Sequence, residues 1–237
     1  MNDKNFDIYL EFQYSKLNLA AFDKKSDKLE YNKEQLYKSY LSNKEDINFN
    51  ELKKLVEENI HQMEKSIDEF VKDIYLIIET PETMTIKISV LKYNEGKRLI
   101  REDVMYLIQD AKQQILKSNS NIEVIHIIVE KYILDNFDYN FLPLEKECKK
   151  FSIDIMFVCF PKDLLINFEK FFSKQQISIN KFICFNYLKK FNSNNITKNS
   201  CILGREIVNG INKQEVVSIP KIVKKKGFFE KFFQLFS

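Results

Sequence analysis

The apolar positions of this chain switch between two periods, and the switches divide it into elements. Two short apolar runs come first, Ile8-Tyr-Leu-Glu-Phe12 and Leu17-Asn-Leu-Ala-Ala-Phe22, and they predict two strands joined by a tight turn at Gln13–Lys16. Lys28–Tyr31 adds a third strand, and residues 32–48 read as polar loop. Asn48 and Glu51 have the spacing of a capping box. A period near 3.6 follows, with Phe49, Leu52, Val56, Ile60, Met63, Ile67 and Phe70 on one helix face. Asp73–Ile78 is a buried strand ended by the Thr80-Pro81 turn.

A second set of elements begins at Thr85–Tyr93, an alternating strand closed by a turn at Asn94–Lys97. Glu102–Lys117 is amphipathic through Val104, Leu107, Ile108, Ala111 and Ile115. Glu123–Leu134 and Phe151–Phe160 are long strands, the second almost continuously apolar. Pro161 suits the first position of a helix that turns Leu164, Leu165, Phe168, Phe171 and Phe172 inward. Ile179–Phe185 is a strand, and Ile202–Val208 with Gln214–Ile219 predict a hairpin around Asn209-Gly210. Strands alternating with helices make an α/β protein.

The last residues form a different pattern. Placed on a helix, Phe228, Phe229, Phe232, Phe233, Leu235 and Phe236 share one apolar arc, while Glu230, Lys231, Gln234 and Ser237 take the other side. Lys221, Lys224, Lys225 and Lys226 precede the helix, and Gly227 separates them from it. An aromatic face beside a basic collar describes a helix lying in a membrane interface. The segment is too short to span a bilayer, which takes about 20 apolar residues. The membrane-binding set is therefore Phe228, Phe229, Phe232, Phe233, Leu235, Phe236, Lys224, Lys225, Lys226 and Lys231, and anionic membrane lipids are its expected partner. The competing reading is a terminal helix that packs on protein.

Charge and composition narrow the chemistry. With 37 basic and 34 acidic residues in 237, the net charge is only +3, so no global basic field calls for nucleic acid. The N-terminus is polar and lacks the apolar run of a secretory signal, and no stretch is long enough for a transmembrane helix, so a cytoplasmic protein is expected. Cys148, Cys159, Cys184 and Cys201 are scattered, and three of them lie in apolar surroundings and read as buried free thiols of a reducing compartment. His61 and His126 sit in a helical and a strand pattern, each as a structural residue. No zinc site or Ser/His/Asp set can be assembled, so no metal, no cofactor and no catalytic residue is expected. The four glycines, Gly96, Gly204, Gly210 and Gly227, leave no glycine-rich loop to cradle phosphates.

The order of elements, with a basic-aromatic helix at the end, resembles FtsA, the actin-like membrane adaptor of bacterial cell division. Ile8–Ala21 stands where that family has its first phosphate-binding hairpin. Glu102-Asp-Val-Met-Tyr-Leu-Ile-Gln-Asp-Ala-Lys112 is similar to its EDVxxxxxxAK helix. Val124-Ile-His-Ile-Ile-Val-Glu-Lys-Tyr-Ile-Leu-Asp135 is similar to its VLHxIPxxYxxD strand. The resemblance implies a partial lobe of the actin/RNase H-like fold, split over 1–83 and 176–219. It places an inserted SHS2-like subdomain at 84–175, a basic linker at 220–226 and the amphipathic helix at 227–237.

The departures bear on function. The family's first phosphate turn is glycine-containing, whereas Glu11-Phe-Gln-Tyr14 is bulky and glycine-free. Ser200-Cys-Ile-Leu-Gly-Arg205 stands in place of the second phosphate loop, DxGGGT, and lacks its pattern. The second lobe, with the adenine pocket and the FtsZ-docking surface, is expected to be missing, which argues against an FtsZ contact. The implied protein is a nucleotide-independent, non-enzymatic division scaffold on the cytoplasmic face of the inner membrane. It meets division proteins or its own copies through residues 84–175. The alternatives are a soluble actin-like module of a pilus or secretion platform, whose tail packs on protein, and an ATP-binding filament protein.

Overall fold

A computed structural model describes residues 5–37, 49–191 and 199–216. In chain order its elements are β1 (Phe6–Phe12), β2 (Lys16–Asp23), β3 (Leu29–Leu36), α1 (Phe49–Ile67), β4 (Asp73–Ile78), β5 (Met84–Tyr93) and α2 (Arg101–Ser118). They continue as β6 (Ile122–Leu134), β7 (Phe137–Tyr139), β8 (Lys150–Pro161), α3 (Lys162–Ser173), β9 (Ser178–Cys184), α4 (Phe185–Phe191) and α5 (Ser200–Val208).

The strands form two sheets. The first has the order β3-β2-β1-β4-β9; β1, β2 and β3 are antiparallel, while β4 is parallel to β1 and β9 parallel to β4. Helices cover both of its faces, which is why β1, β2 and β4 read as nearly continuous apolar runs. Phe12 meets Phe168 of α3 at 5.4 Å between ring centroids, and Phe168 meets Phe49 of α1 at 5.1 Å. Tyr9 and Ile77 lie on the opposite face, against Gly204 of α5.

The second sheet is antiparallel, in the order β5-β8-β6-β7. Its core joins Val104, Leu107, Ile108, Ala111 and Ile115 of α2 to Phe151, Ile153, Ile155, Phe157 and Cys159 of β8. The alternate β8 residues Met156, Val158 and Phe160 enter the first core instead. Strand β8 is therefore a wall between two cores, and that explains the unbroken apolar run from Ile155 to Phe160. Helix α3, which falls within 84–175, also turns Leu165, Phe168, Phe171 and Phe172 into the first core.

Several expectations need correction. Strand β3 runs on to Leu36 where polar loop was expected. It is an edge strand held by its ladder to β2 and by hydrogen bonds from Asn59 to Gln35 (2.7 Å) and from Lys33 to Gln62 (2.6 Å), so it carries no apolar signature. Phe70 does not join the α1 face: the helix ends at Ile67, Asp68 takes φ 56°, and Phe70 is 79% exposed. Pro161 ends β8 and stands at the N-cap of α3, one position before the first helical residue, rather than at that first position.

The first arm of the predicted hairpin, Ile202–Val208, is helical and belongs to α5. Residues 214–216 of the second arm pair with β6 instead, and 217–219 lie outside the described residues. Asn199 accepts a hydrogen bond from the Cys201 N–H at 2.8 Å and caps α5. At the other end Gly210 has φ 79°, its N–H donates to Ile207 O (3.0 Å), and the Ile211 N–H donates to Glu206 O (3.0 Å). That is a Schellman stop, so Asn209-Gly210 ends a helix rather than turning a hairpin. The Asn48 and Glu51 capping box lies outside the described residues and side chains.

Candidate functional site

Strands β1 and β2 meet at a turn closed by the Gln13 N–H, which donates to Lys16 O at 2.9 Å. Beside it Glu11 and Asn18, paired in the ladder, point to the α5 face and are buried. Glu11 accepts a hydrogen bond from the Gln13 amide through one carboxylate oxygen and from Asn18 Nδ2 (3.2 Å) through the other. Asn18 Nδ2 also donates to Asn199 Oδ1 at 3.0 Å, the same oxygen that caps α5. The two segments aligned by resemblance with phosphate loops, Glu11–Tyr14 and Ser200–Arg205, do come together. Between them lies a buried carboxylate and an amide network. At the N-terminus of α5, where free N–H groups would suit a phosphate, Asn199 takes the Cys201 N–H and the Glu11 carboxylate lies close by. The Cys201 thiol there is pushed well up, first by burial and then by the Glu11 charge.

A second polar cluster lies where the two sheets join. Residues 214–216 return from α5 and add to β6: the Val129 N–H donates to Gln214 O (2.9 Å), and the Val216 N–H to Ile127 O (2.8 Å). Glu215, opposite Ile128, sends its carboxylate inward. It meets His126 Nδ1 at 2.8 Å and accepts a hydrogen bond from the Tyr187 hydroxyl at 2.8 Å. Lys181 Nζ stands 3.6 Å away, and Asn212 Nδ2 donates to the Tyr187 oxygen at 2.7 Å.

His126 Nε2 accepts the Cys184 N–H at 3.0 Å. A backbone N–H can only donate, so Nε2 is unprotonated and the ring's proton sits on Nδ1, donated to Glu215. Burial drives the His126 pKa below its ordinary value, so the ring is neutral. Burial alone would raise the Glu215 carboxyl. The bonds from His126 and Tyr187, with Lys181 nearby, outweigh it and hold Glu215 below the usual carboxylate range. Sequence reading placed His126 in a strand, as found, but gave no signal for its partner. Glu215 looked like one position of a hairpin.

The predicted membrane-binding residues, Phe228, Phe229, Phe232, Phe233, Leu235, Phe236, Lys224, Lys225, Lys226 and Lys231, lie outside the described residues. Among the described residues no group of three or more His, Cys, Asp and Glu could hold a metal ion, and no helix is long and apolar enough to cross a membrane. All four cysteines are buried free thiols, and burial pushes Cys159 up to about 11.

No family model matches this sequence, and no curated protein matches it. Among solved structures, the chain is similar to one from a PilM-PilN type IV pilus biogenesis complex. That match has a TM-score of 0.52 and 9% identity, over 78% of this chain and 49% of that one. Two others are the cytoplasmic domain of EpsL, an inner membrane component of the type II secretion system of Vibrio cholerae, and a Bacteroides thetaiotaomicron protein with an actin-like ATPase fold and unknown function. Their TM-scores are 0.38 and 0.37, at 5% and 11% identity, over 78% and 81% of this chain and 59% and 58% of theirs. The chain spans about half the length of the PilM-PilN chain it matches. At 9% identity that likeness shows the fold alone, a mixed α/β fold with two sheets among the described residues.

Proposed function

We propose that this chain is a nucleotide-independent, non-catalytic interaction module with an actin-like fold. In this reading it serves a pilus- or secretion-type assembly at the cytoplasmic face of the inner membrane. The observation that carries the non-catalytic part is the buried Glu11 carboxylate between the β1–β2 turn and the N-terminus of α5. A phosphate entering there meets like charge and side chains where an actin-like ATPase needs bare backbone. The likeness to a chain of the PilM-PilN complex favours a pilus or secretion setting and a protein partner. The sheet-and-helix set from β5 to β8 is taken as the inserted SHS2-like subdomain that meets that partner. The Phe- and Lys-rich tail is taken as the lipid contact.

The FtsA-like division scaffold is the second reading. It is favoured by the motif stretches at Glu102–Lys112 and Val124–Asp135 and by the terminal aromatic arc.

A calorimetric titration with ATP or GTP and Mg²⁺ tests the first part: no binding at millimolar nucleotide is expected, and micromolar affinity retires it. Affinity capture from the native host, with and without residues 221–237, separates the readings. Recovery of pilus or secretion components supports the first, and recovery of division proteins the second.

A further inference from the structure

Strand β5 forms one edge of the second sheet, and among the described residues no strand pairs with its outer side. Its ladder to β8 runs without a register shift from Met84↔Cys159 to Tyr93↔Lys150, whereas β6 slips twice against the same strand. Exposed edges are commonly blunted by proline, bulges, short length or free charge, because unpaired N–H and C=O groups otherwise recruit another strand. The opposite edge of the same sheet follows that rule, since β7 is only three residues long. Strand β5 is ten residues long with neither proline nor glycine. Its two lysines are already paired, Lys87 with Glu130 at 2.6 and 2.9 Å and Lys92 with Asp103.

The hydrogen-bond phase identifies the free groups. The Asn94 N–H donates to Lys149 O at 2.8 Å, so Lys92, Val90, Ile88, Ile86 and Met84 turn their backbone groups toward β8. Thr85, Lys87, Ser89, Leu91 and Tyr93 therefore present theirs outward. Leu91 and Tyr93 are among the exposed large apolar side chains.

We propose that β5 pairs antiparallel with β5 of a second copy about a two-fold axis through Ser89, joining two four-stranded sheets into one. In this register outward backbone groups face each other at Ser89–Ser89, Lys87–Leu91 and Thr85–Tyr93. Ile88 meets Val90 on the α2 side, so the two helix-covered cores adjoin. Charge selects this occupant. Like charges never fall opposite, since Lys87 meets Leu91 and Lys92 meets Ile86. An acidic peptide would find both lysines already neutralised. The pairing goes beyond the interaction-module role and stands independently of lipid or pilus contacts.

Sedimentation velocity on the full chain over about 1 to 100 µM tests it, with a reversible dimer expected. Leu91→Lys sets lysine against Lys87 at both ends of the interface and should weaken association by about tenfold or more without changing the melting temperature. Ser89→Pro removes an outward N–H from the centre of the edge, a site where proline costs no ladder bond, and should also weaken association, with the Ser89 hydroxyl's bond to Asp154 lost as well. Ser89→Cys should form an intermolecular disulfide under mild oxidation, since the four native thiols are buried. A chain that stays monomeric throughout overturns the proposal. So does a dimer that Leu91→Lys leaves intact and Ser89→Cys does not crosslink.

Discussion

His126 Nδ1 lies 2.8 Å from a carboxylate oxygen of Glu215, 89 residues further along the chain. The contact ties β6 of the second sheet to the segment that leaves α5, and Tyr187 of α4 closes it from the first unit. A neutral imidazole with a fixed tautomer, buried against a carboxylate, makes the joint between the sheets sensitive to acid.

Stability should therefore fall on the acid side. The folded-state pKa of His126 is lowered from its ordinary 6.5, so the unfolded chain takes up a proton first as pH falls. The contribution is complete above about pH 6.5 and is lost below it, at up to about 1.4 kcal/mol per pH unit for one proton. Glu215, also lowered, acts in the same direction: its contribution is present above its ordinary 4.5 and lost as pH falls through the folded value. Urea unfolding at pH 8, 7, 6 and 5 measures this. His126→Gln should flatten the profile between pH 6.5 and 5, and a wild-type profile already flat there refutes the assignment.

Removing the acid should cost more than removing a surface charge. Glu215→Ala leaves the His126 N–H buried without its acceptor and removes a hydrogen bond from the Tyr187 hydroxyl, and a loss of about 1–3 kcal/mol is expected. Glu215→Gln keeps the shape and should cost less. Thermal melts of both variants check the order.

Gly204 marks where α5 crosses the first sheet. A Cβ there would meet Ile77 Cδ1 at 2.8 Å and Tyr9 Cδ1 at 3.5 Å, both from fully buried side chains. Gly204→Val should destabilise by about 1–3 kcal/mol through overpacking, despite valine's better helix propensity. Gly96, with nothing within 4 Å of its added Cβ but φ 82°, provides the contrast. Gly96→Ala should act through backbone strain alone.

The tail prediction is independent of these. Phe229→Glu with Phe232→Glu puts two charges in the middle of the apolar arc, and lipid binding should drop by at least about tenfold, since 1.4 kcal/mol is a factor of ten. Lys224, Lys225 and Lys226 changed to Gln should matter less, and only on anionic vesicles at low salt. Lost vesicle flotation with an unchanged melting temperature supports the anchor. A lowered melting temperature with flotation intact means the tail packs on protein.

The strands β1, β2, β4, β5, β6, β8 and β9 and the helices α1, α2 and α3 were legible from periodicity and apolar runs, because each buries a face and burial leaves a pattern in the sequence. So was the lack of a glycine-bearing phosphate turn at Glu11–Tyr14, since a missing residue type is visible without coordinates. The rest depended on tertiary contacts. The Asn209-Gly210 pair suits a hairpin or a helix stop equally well, and what decided it was the Asn199 cap and the space for Gly204 against Tyr9 and Ile77. Strand β3 was read only over Lys28–Tyr31; its continuation to Leu36 has no apolar pattern because its partner strand, not burial, holds it. Glu215 could not be told from an ordinary strand carboxylate. Its burial against His126 exists only because the chain crosses from one sheet to the other, and no local pattern records a contact spanning 89 residues.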